Sequence, residues 1–175
     1  MFVCKKYAYL HRPNNDWPFN RALEFYKDMV TIRKSNFSEL KDLSEIDAQN
    51  HAFNFLSTKT LEIHERDFNK NNIVYLSIIS SPALLAGYII LEFKNKTKSV
   101  QLKRILVSEQ HIGIGQEAIL VTEKYCVNEF NTNHIWLDVY ENNQKARHIY
   151  KKLGYKKFKE GTQGFKSIEY YEKKL

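Results

Sequence analysis

Apolar residues recur along this chain in two rhythms. Alternating or short continuous apolar runs read as strands over "VTIR" (Val30 to Arg33), "NIVYLSII" (Asn72 to Ile79), "LLAGYIILEF" (Leu84 to Phe93), "VQLKRILV" (Val100 to Val107) and "HIWLDVY" (His134 to Tyr140). "YKKFKE" and "SIEYYEKKL" supply two closing strands. A helical period governs "FSELKDLSEI", which Ser35 or Asn36 can cap, and "STKTLEIHERDF" and "QEAILVTEKYCVNEF". In "NQKARHIYKKL", Ala146, Ile149, Tyr150 and Leu153 share one helix face, and Gly154 follows as a C-terminal cap. Polar turns at "SSPA" and "KNKTK" join the second, third and fourth strands into an antiparallel meander. The pattern predicts an α/β fold with a mixed, mostly antiparallel central sheet flanked by helices.

One boundary interrupts the pattern. "DWPFNRALEFYKDM" (Asp16 to Met29) reads as a helix with Pro18 in its first turn, and it precedes the first strand. Residues 1–28 are therefore expected to be an N-terminal extension and residues 29–175 a single domain. A length of 175 residues is enough to bury a core without covalent staples. Cys4 and Cys126 form no C-x-x-C pair, so neither a disulfide framework nor a metal site is expected, and a reducing cytoplasm is the simplest compartment. The longest apolar run, Ala83 to Leu91, is too short to cross a membrane, and no membrane partner is expected. The net charge of +7 is concentrated late, with eight Lys against three Glu in residues 151–175. That asymmetry fits a solvated lysine face or an anionic cofactor, and no nucleic-acid-binding signature accompanies it. A monomer or a homodimer is expected.

The candidate chemistry lies in "SEQHIGIGQEA" (Ser108 to Ala118), between a strand and a helix. "GIGQEA" satisfies the G-x-G-x-x-A dinucleotide fingerprint, with Asp138 or Glu141 available as the acidic partner on the next strand, which would make the chain an NAD-dependent oxidoreductase. Five residues between Val107 and Gly113, and a meander instead of repeated βαβ units, argue against it. A glycine turn without ligand is a further alternative. On the other reading, a helix opening near Ile114 presents free N–H groups and a positive dipole end, worth about 0.3–1 kcal/mol to a nearby anion. Glycines at 113 and 115 remove the Cβ atoms that would hold phosphate oxygens away.

"QHIGIG" (Gln110 to Gly115) fits Q/R-x-x-G-x-G/A, and "ENNQKARHIYKKLGYKK" fits N-x-x-A-x-x-x-Y-x-x-x-G-F/Y through Asn143, Ala146, Tyr150, Gly154 and Tyr155. From about Val30 to the end, the chain resembles the GCN5-related N-acetyltransferase superfamily. The resemblance implies acetyl-CoA as acyl donor, no metal, and an amine acceptor such as a protein N-terminus, an amino acid or a small amine. It further implies pyrophosphate binding by Gln110, His111, Ile112, Gly113, Ile114 and Gly115, backbone pairing of the pantetheine arm with Ile105, Leu106 and Val107, and hydrogen bonding of that arm by Asn143. A CoA-binding or nucleotide-binding protein without catalysis is the alternative.

Acetyl transfer needs a neutral amine and a stabilised leaving thiolate. Tyr150, a phenol with a reference pKa of about 10, is protonated at neutral pH and by the resemblance donates to the sulfur and contacts the cofactor. Relatives often carry Glu where this chain has Gln101, which cannot accept a proton but can orient water. Glu141 and Asp138 are the remaining carboxylates for the base role. The lack of an obvious base favours an α-amine, with a pKa of about 8, over a lysine amine. His64 and His148 are expected to be helix-surface residues.

Overall fold

β-Branched and aromatic residues dominate the runs that form strands, and a computed structural model of the protein assembles them into one seven-stranded sheet in the order β1-β2-β3-β4-β5-β7-β6. It describes residues 30–48, 55–80, 84–108 and 113–175; the helix expected over residues 16–29, and Cys4, Gln110, His111 and Ile112, lie outside them. The strands are β1 (Val30–Lys34), β2 (Ile73–Ser80), β3 (Leu84–Lys94), β4 (Ser99–Val107), β5 (His134–Tyr140), β6 (Lys156–Gln163) and β7 (Lys166–Lys174). The meander β2-β3-β4 forms as predicted, and every neighbouring pair is antiparallel except β4–β5. A single parallel pair is not the repeated βαβ sheet of a dinucleotide fold, which removes the architectural support for the fingerprint reading.

Among the described residues, four α-helices cover the sheet: α1 (Leu40–Asp47), α2 (Leu61–Phe68), α3 (Ile114–Phe130) and α4 (Gln144–Lys152). Alternation along the strands divides the apolar residues between two cores. On one face Ile89, Leu91, Val100, Leu102, Ile135 and Leu137 pack with Ala118, Ile119 and Cys126 of α3 and Tyr150 of α4. On the other, Tyr75, Tyr88, Ile90 and Leu106 pack with Leu40, Leu43 and Ile46 of α1. Each fully buried side chain of this size contributes about 1.5–3 kcal/mol, so both faces hold the sheet in place. Among the described residues, no helix is long and apolar enough to cross a membrane.

Local chemistry sets the helix ends. A 3-10 turn (Phe37–Glu39) leads into α1, and the Glu39 carboxylate accepts the Asn36 backbone N–H at 2.7 Å. α4 ends in a Schellman motif: Gly154 N–H bonds Lys151 C=O and Tyr155 N–H bonds Tyr150 C=O, both at 3.0 Å, with Gly154 at φ +89°. His148 is exposed, as expected, but His64 is fully buried against the second face. The helical period identified its helix and not the depth to which the opposite stripe is covered.

Candidate active site

β4 and β5 pair only at Val100–Ile135 and Gln101–Trp136. Past those pairs β4 stays bonded to β3 and β5 to β7, so a wedge opens between the two central strands. A strand edge inside a wedge offers its N–H and C=O groups to a ligand that adds like another strand. At the apex Gln101 Nε2 donates to Asp138 Oδ1 at 2.9 Å, bridging the strands on the second face. Gln101 is buried and the Asp138 side chain is exposed, so the amide holds a carboxylate at the point of divergence.

The register of β3 and β4 shifts between Ile90 and Leu91, whose partners are Arg104 and Leu102. Lys103 is the extra residue, and both it and Arg104 reach the second face, Lys103 to Glu92 at 2.7 Å and Arg104 Nε to the Tyr88 hydroxyl at 2.7 Å. The bulge precedes Ile105, Leu106 and Val107, the segment expected to pair with a pantetheine arm. Gly87 lies opposite Val107, and a Cβ there would stand 2.1 Å from the Leu106 carbonyl oxygen. This close approach was not legible in "LLAGYIIL", where a glycine between apolar residues reads as ordinary strand.

α3 begins beside the end of β4. Gly113 is its N-cap with φ +106°, a conformation that favours glycine, and the first intrahelical bond runs from Glu117 N–H to Gly113 C=O at 3.0 Å. The N–H groups of Ile114, Gly115 and Gln116 thus have no acceptor within the helix. A Cβ at Gly115 would meet only Val107 Cγ2, at 3.7 Å, an ordinary contact. Backbone conformation therefore favours glycine at 113, whereas neither conformation nor packing within the described residues demands it at 115, which fits a cradle kept open for a phosphate-bearing ligand.

On the first face, Asn143 stands at the N-cap of α4 and Tyr150 within it. Asn143 Oδ1 caps the helix by accepting Ala146 N–H at 3.1 Å, and this leaves its amide N–H groups for another partner. The Tyr150 ring packs edge-on to Tyr155 with centroids 5.8 Å apart, and its hydroxyl makes no hydrogen bond among the described residues. Burial, followed by the negative charge of Asp138, pushes that hydroxyl above the ordinary phenol range, so it stays protonated across physiological pH. Glu141 lies just past β5, exposed; its N–H bonds Ser167 C=O at 3.0 Å and its C=O accepts from Arg147 at 2.8 Å. Its carboxylate makes no hydrogen bond among the described residues.

A buried polar network that the sequence reading did not find backs the bulge. Asp47, at the end of α1, accepts from His64 Nε2 at 2.9 Å, and from the Tyr88 hydroxyl and Arg104 as well. His64 Nδ1 faces the Tyr75 hydroxyl at 3.2 Å, and Arg104 also donates to the Ser57 carbonyl at 2.8 Å. Burial alone would raise the Asp47 pKa, but hydrogen bonds from His64 and Tyr88 and the Arg104 charge hold it below the usual carboxylate range. The available signal was an arginine inside the apolar run "RILV", which is costly to bury without a carboxylate partner.

The chain has relatives of this architecture. The model of the acetyltransferase (GNAT) family matches residues 39–155. Spermidine N-acetyltransferase from Vibrio cholerae in complex with CoA and spermine is similar with a TM-score of 0.72 and 17% identity, over 83% of this chain and 95% of that one. A structure assigned as a phosphinothricin N-acetyltransferase gives a TM-score of 0.71 and 13% identity, over 83% and 98%. No curated protein sequence matches the chain. These identities establish a shared fold, and the match of the family model across the wedge, the α3 glycines and α4 establishes membership: the chain belongs to the GNAT acetyltransferase family.

Proposed function

We propose that the chain transfers the acetyl group of acetyl-CoA to a primary amine by direct attack on the thioester. The observation that carries this reading is the wedge between β4 and β5, bordered by Ile105, Leu106 and Val107, with the open α3 N-terminus at one end and the Gln101–Asp138 hydrogen bond at the other. Backbone groups of β4 pair with the pantetheine arm, the Asn143 amide bonds it from the α4 side, and Gly113 to Gly115, continuing Gln110 to Ile112, receive the pyrophosphate.

A new C–N bond forms as the amine attacks the acetyl carbon, the C–S bond breaks, and one amine proton is lost. Asp138, oriented by Gln101, is the nearer carboxylate to the apex and takes that proton directly or through a water; Glu141, beyond the strand end, is the alternative. Tyr150 donates a hydrogen bond to the departing thiolate. Its raised pKa suits stabilisation of the sulfur anion better than full proton transfer, because a thiol with a pKa of about 8.5 is the stronger acid. The occurrence of CoA and spermine together in a similar structure supports an amine acceptor.

Calorimetric titration with acetyl-CoA, followed by an assay for amine-dependent CoA release, tests the proposal. Micromolar binding and acceptor-dependent release are expected. Failure to bind acetyl-CoA would remove it.

A further inference from the structure

Beside the apex, on the second face, lies a cavity of about 700 Å3. Its floor is aromatic, formed by Trp136, Phe158 and Tyr170, whose rings stand 6.3 Å (Trp136–Tyr170) and 6.1 Å (Phe158–Tyr170) apart. Its rim is basic: Lys94 ends β3, Lys96 lies in the β3–β4 turn, and Lys159 Nζ sits 5.3 Å from the Tyr170 ring centroid. The acidic lining residue Glu172 faces His134 at 2.9 Å. Lys94 is 2.6 Å from Glu92, but Lys96 makes no hydrogen bond or ion pair among the described residues.

The cavity is continuous with the reaction site by register. Trp136 is the β5 partner of Gln101, and Tyr170 is the β7 partner of Asp138. From Asp138 to His134, at the far end of the cavity, the strand advances four residues, or about 13 Å. Lys159 is the β6 partner of Tyr170, so it stands level with Asp138 two strands across, about 10 Å away, while Lys94 and Lys96 border the His134 end. An extended acceptor with its amine at Asp138 lays its body on the aromatic floor, with its third and fourth residues in reach of these lysine side chains.

We infer that the acceptor is the free N-terminus of an acidic peptide segment, with an apolar or aromatic residue near its start and carboxylates at about positions three and four. This inference rests on the acetyl-transfer reading above and assigns the acceptor of that same site. Two other amines fit less well. A free α-amino acid holds its carboxylate too close to its amine to reach the rim. A polyamine spans the distance but carries ammonium groups into a rim of lysines with one carboxylate, which His134 already faces; like charges there oppose binding.

The experiment uses the full chain with acetyl-CoA and four acceptors: a peptide beginning Ala-Trp with Glu at positions three and four, the same peptide with Lys at those positions, spermidine, and the acidic peptide with a blocked N-terminus as control. The acidic peptide should exceed its lysine counterpart at least 10-fold in kcat/KM. The double variant Lys96→Glu/Lys159→Glu should abolish or reverse that ratio while the Kd for acetyl-CoA, titrated separately, stays within 2-fold of the parent. Preference for spermidine or the lysine peptide, an unchanged ratio in the double variant, or acetyl-CoA binding with no acetylation of either peptide would overturn the inference and leave acetyl-CoA binding standing. Absence of acetyl-CoA binding would bring down the proposed function itself, and the inference with it.

Discussion

Arg104, on the bulge of β4, donates to Asp47 at the end of α1, across 57 positions of sequence, and both side chains are buried. The pair joins the helical layer of the second face to the strand residue immediately before the segment assigned to the pantetheine arm. Breaking one partner of a buried pair leaves an uncompensated charge, at a cost of about 3–5 kcal/mol, whereas removing both together costs less. Arg104→Met and Asp47→Leu should each destabilise by that order, and the double variant Arg104→Met/Asp47→Leu by less than the sum. Urea denaturation followed by circular dichroism measures all three, and additive losses would show that the two residues do not act as a pair.

Two glycines in the same region separate folding from binding. Gly87→Ala places a Cβ against the Leu106 carbonyl, where only backbone movement can make room, so this variant is expected to misfold or lose several kcal/mol. Gly115→Val meets no such obstacle at its Cβ, and its Tm should stay within a few degrees of the parent. Its acetyl-CoA affinity should fall at least 10-fold by calorimetry, because the side chain enters the cradle at the α3 N-terminus. Unchanged affinity would exclude pyrophosphate binding at Gly115.

Tyr150→Phe keeps the packed ring and removes a hydroxyl that has no hydrogen bond among the described residues. Stability and acetyl-CoA affinity should therefore change little. Loss of a proton or hydrogen-bond donor at the leaving group corresponds to about 10²- to 10⁴-fold in kcat. Steady-state kinetics with any productive amine checks this, and a parallel loss of kcat and acetyl-CoA affinity would give the hydroxyl a positioning role instead.

Acid should weaken the fold in a defined window. The bidentate hydrogen bonds from Arg33 hold Glu39 down at about 2, and Lys59 and Lys70 hold Asp67 at about 2 against the upward effect of burial. The unfolded values are about 4.3 and 3.9. A carboxylate depressed on folding stabilises above its unfolded pKa and loses that contribution as pH falls toward its folded pKa. Denaturation free energy should thus be flat above about pH 5 and decline between about pH 4.5 and 2. Glu39→Gln should lower stability at pH 7 and make the decline shallower.

Cys126 is sealed in the first core, and burial, together with the charge of Glu123, pushes its thiol up to about 12. Because the thiolate is the reactive form, iodoacetamide at pH 8 should leave Cys126 unmodified in the native protein and label it in urea, as read by peptide mass mapping. Labelling under native conditions would mean that the contact between α3 and the sheet opens readily.

Sequence periodicity alone determined the seven strand segments, the helices at α1 to α4, the antiparallel meander and the glycine cap at Gly154, because each depends on residues a few positions apart and on backbone preferences that travel with the residue. The helix start at Gly113 and the Asn143-to-Tyr155 helix were legible for the same reason: a helix end and one helix face leave a local spacing. Only the tertiary structure decided that β4 and β5 part after two pairs, that Gln101 meets Asp138 there, and that Gly87 must be glycine. These depend on how distant strands approach, which a single-chain pattern does not encode. His64 shows the limit most plainly. Its helix was foreseen, but burial is a property of what lands on a face, and the Asp47, Tyr75, Tyr88 and Arg104 groups that make an interior histidine tolerable come from one other helix and three strands.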